Sequence, residues 1–98
     1  MARHHNITGV LTQELLAAGD NIKTSSIWLT NIHASDAVVV DLYIEKRLSG
    51  KFYLLKNYSI TTAKYLFLEK IGFNNSSDEF GLYIKLNAAD SAVDVIIR

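Results

Sequence analysis

Apolar side chains recur at every second position over most of this chain, and that period admits little besides β-strand. A strand sends successive side chains to opposite faces, so each alternating run has one apolar face and one mixed face. Between Ala37 and Glu45, Val38, Val40, Leu42 and Ile44 share one face; Val39, Asp41, Tyr43 and Glu45 share the other. Phe80, Leu82, Ile84 and Leu86 alternate with Gly81, Tyr83 and Lys85, and Val93, Val95 and Ile97 alternate with Asp94, Ile96 and Arg98. In Ser26 to Ile32, Ile27 and Leu29 oppose Trp28, Thr30 and Ile32. Lys51 to Lys56 and Lys64 to Glu69 are rich in aromatics and leucine, and they read as strands too. Leu11, Leu15 and Leu16 would also fit a helical turn, but the run is short and Gly19 follows it, so a short edge strand is expected over Leu11 to Ala18. The spacing predicts an all-β chain: an antiparallel β-sandwich of about seven short strands in one domain over residues 1–98, with 1–10 a flexible or edge-pairing arm.

Turn chemistry separates the runs. Ala18-Gly19-Asp20-Asn21 reads as a tight turn, and Leu48-Ser49-Gly50 closes another connection. His33-Ala34-Ser35-Asp36 and Asn87 to Ser91 read as short hairpin turns. Asn74 to Glu79 is a polar loop. Proline is absent, and no repeat or linker divides the chain.

Composition narrows the function. Ten basic and ten acidic residues balance, so no bulk field draws in nucleic acid or an anionic membrane, and neither is an expected partner. The chain has no cysteine, which excludes disulfides and thiolate metal sites. The start, Met1-Ala2-Arg3-His4-His5-Asn6, leads into Thr8, Gln13 and Glu14 and does not read as a signal peptide. Uninterrupted apolar runs such as Ala37 to Val40 are far short of the ~20 residues that span a bilayer. The expectation is a protein made in a cytoplasm, or held in something assembled there.

The polar residues assemble no recognisable catalytic set. Adjacent His4 and His5 in an extended segment point apart and rarely chelate one ion. His33 falls in a turn beside Asp36, where solvation is the expected state. No Gly-x-Ser-x-Gly, phosphate loop or dinucleotide fingerprint is present. Asp41/Glu45 and Asp90/Asp94 could pair as acid and base, but the alternation places Asp41 and Glu45 on a solvated face with Tyr43. Asn74 to Glu79 offers oxygens for calcium without the spacing or glycine of an EF-hand. The Asn-x-Ser/Thr triplets at Asn6, Asn57, Asn74 and Asn75 have no secretory signal to give them meaning. Aromatics beside lysines (Lys51-Phe52-Tyr53, Lys56-Asn57-Tyr58, Lys64-Tyr65) could stack single-stranded bases, but charge balance opposes this, and lysines also guard strand edges. No enzyme, cofactor or metal is expected.

Val39, Tyr43, Tyr83 and Ile96 all lie opposite the predicted core face. A sheet with one wet face ordinarily carries Thr, Lys and Glu there. These four are therefore the candidate interface, with another layer or a partner subunit as the alternative covers and homo-oligomerisation expected.

Several stretches also follow a shared plan: Leu15-Leu16-Ala17-Ala18-Gly19-Asp20, Ile27-Trp28-Leu29-Thr30-Asn31 and Ala34 to Ile44, then Tyr53-Leu54-Leu55-Lys56-Asn57-Tyr58-Ser59-Ile60, Leu66-Phe67-Leu68-Glu69, Leu82-Tyr83-Ile84-Lys85 and Ala92-Val93-Asp94-Val95-Ile96. Over residues 15–98 the chain resembles small β-sandwich virion proteins of tailed bacteriophages, particularly of marine cyanophage type. At one turn it departs from them: Thr62-Ala63 and Lys64 stand where such proteins often carry Pro and Gly. The resemblance implies a structural virion subunit among other virion proteins (capsid, neck or tail), assembled in the host cytoplasm and localised to the virion. Capsid decoration is the leading role, with a neck, tail or baseplate part as the alternative. A carbohydrate- or host-surface-binding module is a rival, because fibre tips combine this architecture with exposed aromatics; a nucleic-acid-binding module is the other.

Overall fold

The computed structural model describes residues 3–17, 23–46, 50–74, 80–88 and 91–98, with side chains of 70–74 left aside. Eight strands form: β1 (Arg3–Thr8), β2 (Gln13–Leu16), β3 (Lys23–Asn31), β4 (Val38–Lys46), β5 (Gly50–Ile60), β6 (Tyr65–Asn74), β7 (Phe80–Leu86) and β8 (Ala92–Ile97). They make two antiparallel four-stranded sheets: sheet A in the order β1-β8-β3-β6 and sheet B in the order β2-β7-β4-β5. The sandwich is as the alternation requires. The paired strands β1/β8, β2/β7, β3/β6 and β4/β5 nest from the chain ends inward, which is the winding of an eight-stranded jelly roll.

The strand beyond the expected seven is β1. Its inward positions are Arg3, His5 and Ile7, so only one of three is aliphatic and the period is hidden in the sequence. Pairing with β8 along the full length of β1 supplies what the side chains do not. Two connections also differ from expectation. His33–Asp36 and Asn87–Ser91 are not hairpin turns; each carries the chain from one sheet to the other, β3 to β4 and β7 to β8. Every segment here has an apolar face to bury, and crossing to the opposite layer buries both. Consecutive strands pair directly only at β4–β5. Of the turns read from sequence, 18–21 lies outside the described residues, as do 47–49, 75–79 and 89–90.

The core between the sheets is aliphatic. Ile27, Leu29, Val40, Leu42, Leu82, Ile84, Val93 and Val95 are fully buried, with Leu16, Val38, Leu86 and Ile97 nearly so. All are inward positions of the sequence alternation. Three polar residues, Thr24, Asn31 and Ser91, are buried as well. Asn31, at the end of β3, donates from Nδ2 to the carbonyls of Asp36 (2.9 Å) and Ile60 (2.9 Å), and its Oδ1 accepts the His33 N–H at 2.8 Å. Its backbone bonds Ala63 and Lys64. Asn31 thus ties two sheet-crossing turns, 32–37 and 61–64, to one strand end.

Candidate functional site

Short connections fix which strands face each other. Four residues, 61–64, join β5 to β6, and four, 9–12, join β1 to β2. One flank of the sandwich is therefore β1 over β2, and the other is β6 over β5. The two flanks differ in chemistry. At β1/β2, Ile7, Leu15 and Leu16 are buried and close the core. His5 is there too: it faces inward, bonds the backbone of Leu15 across the layers and leaves Nε2 buried without a partner. Burial, with Arg3 and His4 nearby, holds its pKa below the ordinary histidine value of 6.5. His4 points outward beside Ile96, so the two imidazoles diverge.

The β5/β6 flank is open. Of nine large apolar side chains exposed among the described residues, six lie on these two strands: Phe52, Tyr53, Leu54, Tyr58, Tyr65 and Phe67. The arrangement follows from two bulges in β5. Ile44, Leu42 and Val40 on β4 are spaced by two and pair with Phe52, Leu55 and Tyr58, which are spaced by three. The extra residues turn all three β5 side chains toward the core layer. Phe52, which meets Phe80 edge-on at 6.0 Å, is still 53% exposed, and Tyr58 is 41% exposed. Leu55, with Leu66 and Leu68 of β6, packs only partly against the core. Asp41 stabilises the upper bulge, its Oδ1 accepting the N–H of Asn57 (2.8 Å), whose φ is 52°. Asp41 is thereby engaged in structure, and it faces Lys85 across the pair with β7.

The four candidate interface residues do not form one patch. Val39, Tyr43 and Tyr83 lie on the outer face of sheet B, and Ile96 lies on the outer face of sheet A. Tyr43 is only 3% exposed, walled by Tyr53 (5.3 Å between centroids), Tyr83 (5.7 Å) and Lys51 Nζ (4.9 Å). The Tyr83 hydroxyl donates to Glu14 at 3.3 Å, and burial together with that carboxylate raises its pKa. Val39 borders an open cleft of about 520 Å³ that Asp41, Lys85 and Asn87 also line. The aromatic row is thus mostly satisfied within the sheet.

The outer face of sheet A carries a second aromatic group. Trp28 stacks on Phe67 (4.4 Å) and Tyr65 (5.1 Å), both from β6, and Ile96 of β8 is its register neighbour on the other side. Beside this row runs a polar one, Asn6, Asp94, Thr30 and Tyr65. Asn6 Nδ2 donates to Asp94 Oδ1 at 2.6 Å. The sequence pattern had Trp28 facing outward, but only the β1–β8 register could bring Asn6 to Asp94.

The remaining sequence candidates resolve as local structure. His33 Nδ1 accepts the N–H groups of Ser35 (3.1 Å) and Asp36 (3.0 Å), and its carbonyl accepts from the Thr62 hydroxyl. Asn87 Oδ1 accepts the Val39 N–H at 3.0 Å. The calcium reading over 74–79 and the Asp90 half of the Asp90/Asp94 pair lie outside the described residues. Among the described residues no three His, Asp or Glu side chains converge on a metal position.

No family model matches this chain, and no curated protein matches it. Among solved structures the fold is similar to that of PirA, with a TM-score of 0.57 at 10% identity over 98% of this chain and 90% of that one. A Yersinia pseudotuberculosis-derived mitogen matches with a TM-score of 0.48 at 11% identity, over 99% of this chain and 81% of the other. At such identities the likeness concerns the fold alone, and the phage resemblance rests on the sequence pattern.

Proposed function

We propose that this protein is a non-enzymatic structural subunit of a tailed-phage virion, a capsid decoration subunit that docks on other virion proteins through its β5/β6 flank. The observation that carries the reading is that, of the nine exposed large apolar side chains among the described residues, six lie on β5 and β6, against two, Val10 and Leu11, in the connection between β1 and β2. Apolar area of this kind on a small domain marks an interaction surface. Jelly rolls serve in viral capsid proteins and in lectins, so the architecture is compatible with the role without deciding it.

The manner of docking also follows. An open sheet edge can accept a partner strand. β2 is an edge, but β8 lies between β1 and β3 and offers none. β5 is an edge with two bulges and with Lys51 and Lys56 along it, features that discourage strand addition. β1 and β6 are edges of the other sheet, and side-chain packing is favoured over strand addition because the exposed apolar side chains concentrate on β5 and β6. Such a contact is insensitive to screening. Particles of the phage that carries this gene should retain the protein in about 1 M sodium chloride, where screening acts within ~3 Å, and release it in mild denaturant. Absence from washed particles, or release by salt alone, would refute the reading.

A further inference from the structure

We propose that the outer face of sheet A binds a neutral saccharide, with one pyranose ring against Trp28 and Ile96 and its hydroxyls on Asp94 and Asn6. The site adjoins the docking flank at Tyr65 and Phe67 of β6 and uses none of its β5 side chains. Three observations converge. A cleft of about 370 Å³ on β1 and β8 is lined by His4, Asn6, Asp94 and Ile96, whose side chains face outward, together with His5 and Val95. The next strand across, β3, places Trp28 beside Ile96 and Thr30 beside Asp94. Phe67 and Tyr65 both stack on the indole from β6, which lies on the far side of β3 from β8. They contact the indole from the β6 side, and the cleft lies on the β8 side of β3, next to Trp28's register neighbour Ile96.

The two rows match the two sides of a sugar. A pyranose presents an apolar C–H face and a rim of hydroxyl donors and acceptors. Here an apolar row, Ile96-Trp28-Phe67, runs beside a polar row, Asn6-Asp94-Thr30, one strand spacing of about 4.8 Å separating each member from the next. Asp94 uses one carboxylate oxygen on Asn6, and the remaining lone pairs accept hydroxyls. The same features disfavour other ligands. No lysine or arginine lines the cleft, and a carboxylate sits in it, so a nucleic acid or phosphate is repelled. Tyr65 and Phe67 both meet Trp28 from the β6 side, away from the cleft, so a quaternary ammonium in the cleft lacks an aromatic cage.

Trp28 is the only tryptophan in the chain, so its emission reports this site alone. The experiment titrates the full-length protein with glucose, galactose, mannose and N-acetylglucosamine oligosaccharides, with choline and a single-stranded oligonucleotide as counter-probes. At least one oligosaccharide should give a saturating change in Trp28 emission. Asp94→Ala and Asn6→Ala should each weaken that binding, the first roughly tenfold, as for a lost hydrogen bond to a charged group. Circular dichroism confirms that both variants are folded, and Phe52→Ser on the docking flank should leave the titration unchanged. A response to choline or the oligonucleotide instead, a response untouched by Asp94→Ala, or no response to any saccharide overturns the proposal. Each of those outcomes leaves particle docking through β5/β6 unaffected.

Discussion

Removing the Asn31 side chain should cost more stability than removing any single exposed aromatic. Asn31→Ala breaks three hydrogen bonds of 2.8 to 2.9 Å at a residue with no solvent exposure. At about 1 kcal/mol net for each bond, the loss is about 3 kcal/mol. For a domain of this size that lowers the melting temperature by roughly 12–24 °C. Urea or thermal unfolding followed by circular dichroism measures it. Asn31→Asp adds a sign to the test. The carboxylate keeps the acceptor for the His33 N–H but meets the Asp36 and Ile60 carbonyls where Asn31 placed donors. Those oxygens favour the protonated acid and raise its folded pKa above the unfolded value of about 3.9. A raised folded pKa gives stability that is present at low pH and lost as pH rises, so the gap to wild type should widen above about pH 4. A loss below about 1 kcal/mol for Asn31→Ala, or a gap for Asn31→Asp that does not change with pH, would show that Asn31 does not hold the crossing turns together.

Two further predictions test other parts of the fold. His5 is held below its ordinary value of 6.5 in the folded chain, so the unfolded chain binds that proton more readily and stability falls as pH drops below about 6.5. Melting temperatures at pH 7.5 and about 5.5 should therefore differ more for wild type than for His5→Leu, and an equal difference would place the pH response elsewhere. Ala63 has φ 60°, a conformation that glycine adopts at no steric cost. Ala63→Gly should stabilise by about 0.5–1 kcal/mol in the same unfolding assay; destabilisation would contradict the strain argument.

The sandwich was legible because its cause is local. Val38, Val40, Leu42, Leu82, Ile84, Val93 and Val95 alternate in sequence and bury in space, and alternation is a property of the strand backbone itself. Which sheet a strand joins is not local, and this explains the differences. The period places Val39, Tyr43, Tyr83 and Ile96 on outward faces, but it carries no mark that β4 and β7 belong to one sheet and β8 to the other. The open flank was hidden for another reason. Phe52, Leu55 and Tyr58 share a face only because two bulges stretch the period from two to three, and an alternating template assigns them to different sides. A left-handed Asn57 beside Lys56 is the one local sign of that stretch. Asn31 reads in sequence as a polar residue closing a strand, and its role appears only when the distant Ile60 carbonyl joins the nearby backbone groups of His33 and Asp36 around it.

The docking flank is tested most directly by a variant that alters it without touching the core. Phe52→Ser combined with Tyr58→Ser changes two side chains that are already about half exposed, so the fold should lose little, about 1 kcal/mol in total. The measurement is binding of the purified protein to phage particles stripped of it, read by cosedimentation, with Leu11→Ser as the control. Leu11, in the connection between β1 and β2, is 78% exposed and belongs to neither β5 nor β6. The docking account predicts that wild type and Leu11→Ser sediment with the particles and that the folded double variant stays in solution. Sedimentation of the double variant at the wild-type level would contradict it.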